Sequence, residues 1–234
     1  MISYIETEIN VKTQMINTLF TNPLAFVLSI IGLVVALTVH EYSHAAMADH
    51  LGDPTARLQG RLSFNPFVHF DTMGLLFLLF FGFGWGKPVI FDPYNLKNPR
   101  KDAALISLAG PLSNLIVAII CSFLIRLFIF IHLGIFSTIG LLLLYPIFQL
   151  NIAIGVFNLL PINPLDGFKI FGGILSEEKA REWYQLERYG MIFLLLLIIP
   201  IGREPLLYSI MNPVVNFLHN ILLPNMNSIG SGII

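Results

Sequence analysis

Residues 24–48, LAFVLSIIGLVVALTVHEYSHAAMA, form one run of 25 residues in which only the HEYSH insert is strongly polar. As a helix at 1.5 Å per residue this run is roughly 37 Å long, more than the ~30 Å hydrocarbon core of a bilayer. A soluble helix of that length would carry a charged face, and this one carries none. Two further apolar runs, 103–131 and about 137–160, have the same character, and only 12% of the chain is charged, against about 25% in soluble domains. The fold expected is an α-helical polytopic membrane protein whose partner surface is the lipid bilayer. The first run is too long for the apolar part of a signal peptide and lacks a basic start, with Glu6 and Glu8 preceding only Lys12.

The formal net charge is −1, which gives no footing for nucleic acid. Cys121 is the single cysteine and lies in an apolar run; it cannot make an internal disulfide and reads as a small buried residue.

Between the first two runs lies MGLLFLLFFGFGWG, residues 73–86. Its apolar part, about 12 residues, is too short to span as a helix. Gly82, Gly84 and Gly86 alternate with Phe83 and Trp85, which suits a strand better than a helix. A small re-entrant or interfacial β-element is therefore expected here, and ARLQGRLSF, residues 56–64, has a strand-like mix before the turn signal Asn65-Pro66. Toward the C-terminus, 176–190 reads as a charged helix, 191–201 as its apolar extension, and 206–223 as a weaker membrane candidate. The total comes to about four to six membrane segments. Residues 1–20 read as an interfacial segment, and 21–234 as one membrane-embedded domain with its core in 24–170.

The basic residues set an orientation. If 73–86 does not span, loops 49–102 and 166–188 share one side. They hold Arg57, Arg61, Lys87, Lys97, Arg100, Lys101, Lys169, Lys179, Arg181 and Arg188, ten of the 13 basic residues. The positive-inside rule puts that side in the cytoplasm, with the chain as a multi-pass protein of the cell membrane.

His40 and His44 are four residues apart, so a helix offers both imidazoles on one face. Glu41 is turned about 100° from His40, within reach of a water on a metal held there. H-E-x-x-H is the pattern of two zinc ligands and a general base, and ionisable residues inside a membrane segment are functional by default. A catalytic zinc needs a third protein ligand. His50 and His69 sit in polar loops, as solvated or hydrogen-bonded residues, while His132 and His219 lack a paired motif. Asp166 stands in FNLLPINPLDGFKI, at the same side as the histidines. Its two prolines, Pro161 and Pro164, break the helix, and broken helices at membrane depth line sites. Pro-Leu-Asp-Gly is also good turn chemistry, so Asp166 is read as ligand or as turn residue. AGPLSN, residues 109–114, reads as small residues for close helix packing, and Lys87 as an interfacial anchor.

HEYSH in a membrane run and NLLPINPLDG about 120 residues later resemble the site-2 protease family of intramembrane zinc metalloproteases. GDPTARLQGRLSFNP, GFGWGKPV and NPRKDAALISLAGPLSN are similar to its compact prokaryotic branch. The resemblance implies one zinc ion on His40, His44 and Asp166, with Glu41 activating water and Asn158 positioning the scissile carbonyl. It implies cleavage of transmembrane segments of other proteins near the cytoplasmic side. It also implies that Gly82, Phe83 and Gly84 form an element holding substrate extended. The PDZ or CBS domains that many members add have no room in these 234 residues.

Overall fold

The structure is a computed structural model and describes residues 15–81, 84–132, 134–200 and 205–223. A short helix α1 (Met15–Thr21) leads into α2 (Pro23–His50). Asn22 starts α2: its Oδ1 accepts from the Ala25 amide at 3.1 Å, and Pro23 takes the first helical position, where a missing N–H costs nothing. After α2 come α3 (Thr55–Leu58) and α4 (Thr72–Phe81), then the long α5 (Pro99–Ile131) and α6 (Ile135–Asn158). The turn between α5 and α6 uses His132 and Gly134, both at positive φ. The chain ends with α7 (Asp166–Ile174), α8 (Glu177–Tyr184), α9 (Gly190–Ile198) and α10 (Leu206–Leu222).

Among the described residues, helices α2, α5 and α6 are the three long and apolar enough to cross a membrane, and they pack against one another. The two faces of α5 explain how. Leu112, Ile116, Ile119, Ile120, Phe123 and Leu127 are exposed along one side, at i, i+3 and i+4 spacings that keep them on one face. The opposite side buries Ser107, Gly110, Pro111, Asn114, Ala118 and Ser122. Large apolar residues outside and small or polar ones inside is the pattern of a helix solvated by lipid. Phe148, Ile152 and Val156 of α6 meet Ala118, Cys121 and Ile125 of α5 in the main core, so Cys121 is the small buried residue the sequence suggested.

Two readings of local structure change. Among the described residues no strand ladder forms; the sole pairing in the 56–90 region is an isolated antiparallel bridge between Phe70 and Gly86. Residues 72–81 are helix, because the apolar run Leu75–Phe81 lacks glycine and can bond its own backbone. The ten residues of α4 reach about 15 Å, half a bilayer core and too short to span it, and the described residues that follow, 84–92, are not helical. ARLQGRLSF gives the end of α3 and a bend, with Pro66–Val68 a single 3-10 turn capped by Asn65 Oδ1. Gly82 and Phe83 lie outside the described residues. Gly84 is pressed against Gly74 of α4, where an added Cβ would stand 2.2 Å from the Gly74 carbonyl oxygen.

Candidate metal centre

The centre is built at the C-terminal half of α2, where His40, Glu41 and His44 are all buried. His40 lies ten residues before the end of α2, so roughly 15 Å deep along the axis. Opposite stands Asp166, the first residue of α7. Helix α6 stops at Asn158 because Pro161 and Pro164 remove donors and disfavour helix in the residues before them. The chain then turns through 159–165 with Leu165 N–H donating to Ile162 O at 2.8 Å. Helix α7 is held in place by Trp183, whose Nε1–H donates to Phe168 O at 2.9 Å, and by Arg100 of α5, which donates to Leu175 O at 2.6 Å.

The imidazole tautomers follow from their outer partners. His44 Nδ1 lies 2.7 Å from the Ile106 carbonyl oxygen, which can only accept, so Nδ1 carries the proton. His40 Nδ1 lies 2.7 Å from Asn114 Oδ1. Asn114 is oriented by its amide, which donates to Ala36 O and to Asn151 Oδ1, both at 2.9 Å. Asn151 in turn donates to Ile147 O at 2.7 Å. Its oxygen therefore faces His40, and His40 Nδ1 is also the protonated nitrogen.

Both Nε2 atoms thus present bare lone pairs, yet they stand 3.0 Å apart. Asp166 Oδ2 is 3.1 Å from His40 Nε2 and 3.2 Å from His44 Nε2. Three lone-pair atoms in a triangle of that size repel one another unless a cation sits among them. A tetrahedral zinc with ligands at about 2.0–2.1 Å needs its donors roughly 3.3 Å apart. The edges fit, as does the His₂-carboxylate donor set. The same three residues form the one His/Cys/Asp/Glu cluster of metal-binding geometry among the described residues.

Glu41 does not join the triangle. Its Oε2 is buried without a hydrogen-bond partner, and its Oε1 faces Gly86 on the return from α4. It is a carboxylate whose Oε2 has no hydrogen-bond partner, next to the three clustered donors. Asn158, at the end of α6, donates to Ile154 O at 3.0 Å, within its own helix. His69 is wholly buried rather than solvated, with Nε2–H donating to Ser63 O at 2.7 Å. His50 is exposed on the last turn of α2, His132 is exposed at the α5–α6 turn, and His219 pairs with Gln149.

The small residues of AGPLSN do pack, and they pack against the two histidines of the cluster. A Cβ on Gly110 would stand 2.5 Å from His44 Nε2 and 2.7 Å from His40 Cε1. Gly110 lets α5 lie flat on both imidazoles, and Asn114, one turn later, orients one of them. An asparagine inside a lipid-facing run was the available signal.

A model of peptidase family M50 matches residues 129–199. The chain is 42% identical over 181 residues to a Bacillus subtilis protein named "Putative zinc metalloprotease YwhC", spanning 74% of this chain and 81% of that one. It is 31% identical over 179 residues to "Putative zinc metalloprotease Rip2" of Mycobacterium tuberculosis, spanning 74% and 66%. An archaeal protein of Methanocaldococcus jannaschii, "Putative zinc metalloprotease MJ0611", is 27% identical over 151 residues, spanning 63% and 70%. No solved structure gives a significant match. With the paired motifs, the convergent donor triangle and a relative this similar over most of both chains, the protein belongs to peptidase family M50, the site-2 protease family.

Proposed function

We propose that the protein is an intramembrane zinc endopeptidase that hydrolyses peptide bonds in or near the transmembrane segments of other membrane proteins. The observation that carries this reading is the pairing of a three-donor centre with the free oxygen of Glu41, inside a helix fit to cross a membrane. His40, His44 and Asp166 would hold one zinc ion. When bound, zinc supplies Lewis acidity, which lowers the pKa of water and polarises a peptide carbonyl. Glu41 takes the proton from the attacking water and returns it to the leaving amine. Asn158 ends α6 beside the Asp166 turn, and its carboxamide, released from Ile154, would orient the scissile carbonyl. Gly82, Phe83 and Gly84 would hold the unwound substrate extended.

The same reading covers the setting. Residues 21–234 would form one catalytic domain; of the segment 1–20, residues 1–14 lie outside the described residues. Helices α9 and α10 add to α2, α5 and α6 to reach four to six membrane segments of a multi-pass cell-membrane protein. The basic loops on the α2 C-terminal side support a centre near the cytoplasmic face by the positive-inside rule.

A second reading, a non-enzymatic zinc-dependent membrane protein, uses the same three ligands but has no work for Glu41. The test is Glu41→Gln in proteoliposomes with a transmembrane reporter substrate. Cleavage is expected to fall by about 10²-fold or more, the scale of a positioned general base, while zinc content stays at one per chain. Normal cleavage by Glu41→Gln sinks the protease reading.

A further inference from the structure

Arg61 is a guanidinium taken out of water: only 4% of the residue is exposed. Burying a charge is costly unless it is paired and hydrogen-bonded. Two of its nitrogens are spent on backbone. Nη1 donates to Val68 O and Nη2 donates to Lys87 O. Val68 precedes α4 and Lys87 follows it, so one side chain grips both ends of the excursion. Around this grip the backbone closes a ring. Lys87 N–H donates to His69 O at 2.8 Å, Phe70 bridges Gly86, and the His69 side chain donates to Ser63 O. Burial pushes the Arg61 pKa down, and the Glu41 carboxylate works against that shift, so the cation and the carboxylate feel each other.

The segment so gripped lies directly on Glu41. A Cβ on Gly86 would be 3.3 Å from His69 O and 3.5 Å from Glu41 Oε1. We infer that Arg61 is a positioning residue: by tying the Val68 and Lys87 carbonyls together it fixes the Gly86 backbone against the Glu41 carboxylate and so sets where that carboxylate points. Lysine carries the same charge but is a compact donor without the planar fork, so it keeps the attraction to Glu41 and loses the two-ended grip. This inference rests on Glu41 being the base of a hydrolytic reaction, and its first readout does not.

The test is Arg61→Lys in the full chain, with hydrogen exchange of the 84–90 backbone, zinc content and kcat and KM on a transmembrane reporter. Expected are roughly tenfold faster exchange at the Lys87 amide, since its local opening is no longer restrained, and a kcat lowered about tenfold or more. KM should stay within about twofold and zinc content should be unchanged, a split that general loosening would not give. Unchanged exchange overturns the grip, and faster exchange with an unchanged kcat overturns the positioning role. If Arg61→Lys does not fold, Gly86→Ala decides, because it disturbs the same junction with Arg61 intact. A lowered kcat at constant KM supports the inference, and full activity overturns it. Failure of the protease reading shows separately, as normal cleavage by Glu41→Gln.

Discussion

Replacing Asn114 with alanine and with aspartate separates two jobs of one buried side chain. Asn114 is fully buried and makes three hydrogen bonds: one accepted from His40 Nδ1–H and two donated, to Ala36 O and Asn151 Oδ1. Alanine removes all three. Loss of an outer partner on a metal-bound histidine costs roughly 10–100-fold in metal affinity, or about 1.4–2.8 kcal/mol. Three buried hydrogen bonds at about 0.5–1.5 kcal/mol each cost about 1.5–4.5 kcal/mol of folding stability. Aspartate keeps the acceptor for His40 and forms the carboxylate–histidine–zinc arrangement common in such sites. It cannot donate, so its second oxygen faces two acceptors, and Asn151 can turn to meet it only by giving up Ile147 O. Asn114→Asp is therefore expected to hold zinc within about threefold of the parent protein while losing about 1–3 kcal/mol of stability.

The assay is chelator competition for zinc affinity and thermal unfolding for stability, both in one detergent. The expected pattern is a split: alanine weak in both, aspartate weak in stability alone. Equal loss of zinc affinity in the two variants would mean that acceptance from His40 Nδ1 is not what Asn114 contributes. Unchanged affinity in Asn114→Ala would remove it from the centre altogether.

Gly110→Ala puts a methyl 2.5 Å from His44 Nε2. Overpacking costs about 1–3 kcal/mol, so zinc affinity by chelator competition should fall by about tenfold or more; an unaltered value would mean that α5 does not lie on the imidazoles. Asp53 is fully buried in the loop after α2 and accepts from Thr55 N and Oγ1, Asn95 Nδ2 and Asp92 N. Burial alone would raise its pKa, but these donors outweigh burial and hold it below the ordinary 3.8. Its stabilisation is thus present above pH 3.8 and lost as pH falls through the lower folded value. Asp53→Asn should lower Tm clearly at pH 6 and less below pH 3.8; a constant gap from pH 6 to pH 3 would contradict this linkage.

What could be read in the chain was whatever depends on periodicity and spacing. The three long helices follow from run length, the break between α6 and α7 from Pro161 and Pro164, and the shared face of His40 and His44 from 3.6 residues per turn. Asp166 was legible as ligand or turn residue because its motif supports both, and its position suits both: it follows the 159–165 turn and its Oδ2 stands 3.1 and 3.2 Å from the two histidines. Of the glycine alternation at 82–86 the described residues show only the Phe70–Gly86 bridge, while the apolar residues just before it satisfy their backbone as helix α4.

The outer partners were not legible, for a geometric reason. Whether Gly110 is a packing residue or a shelf for two imidazoles depends on where α5 crosses α2, and nothing in AGPLSN encodes that crossing. The same holds for Arg61, which local pattern places in a polar loop. Its grip on Val68 and Lys87 exists only once the chain has run through α4 and returned to the same place. Histidine at i and i+4 is a property of one helix and survives in the sequence as a motif. The residues that fix the proton on His40, clear space at His44 and hold the backbone over Glu41 come from α5 and from two ends of a loop. Their chemistry arises only where separate segments meet, so a one-segment pattern names the ligands and leaves their supports unnamed.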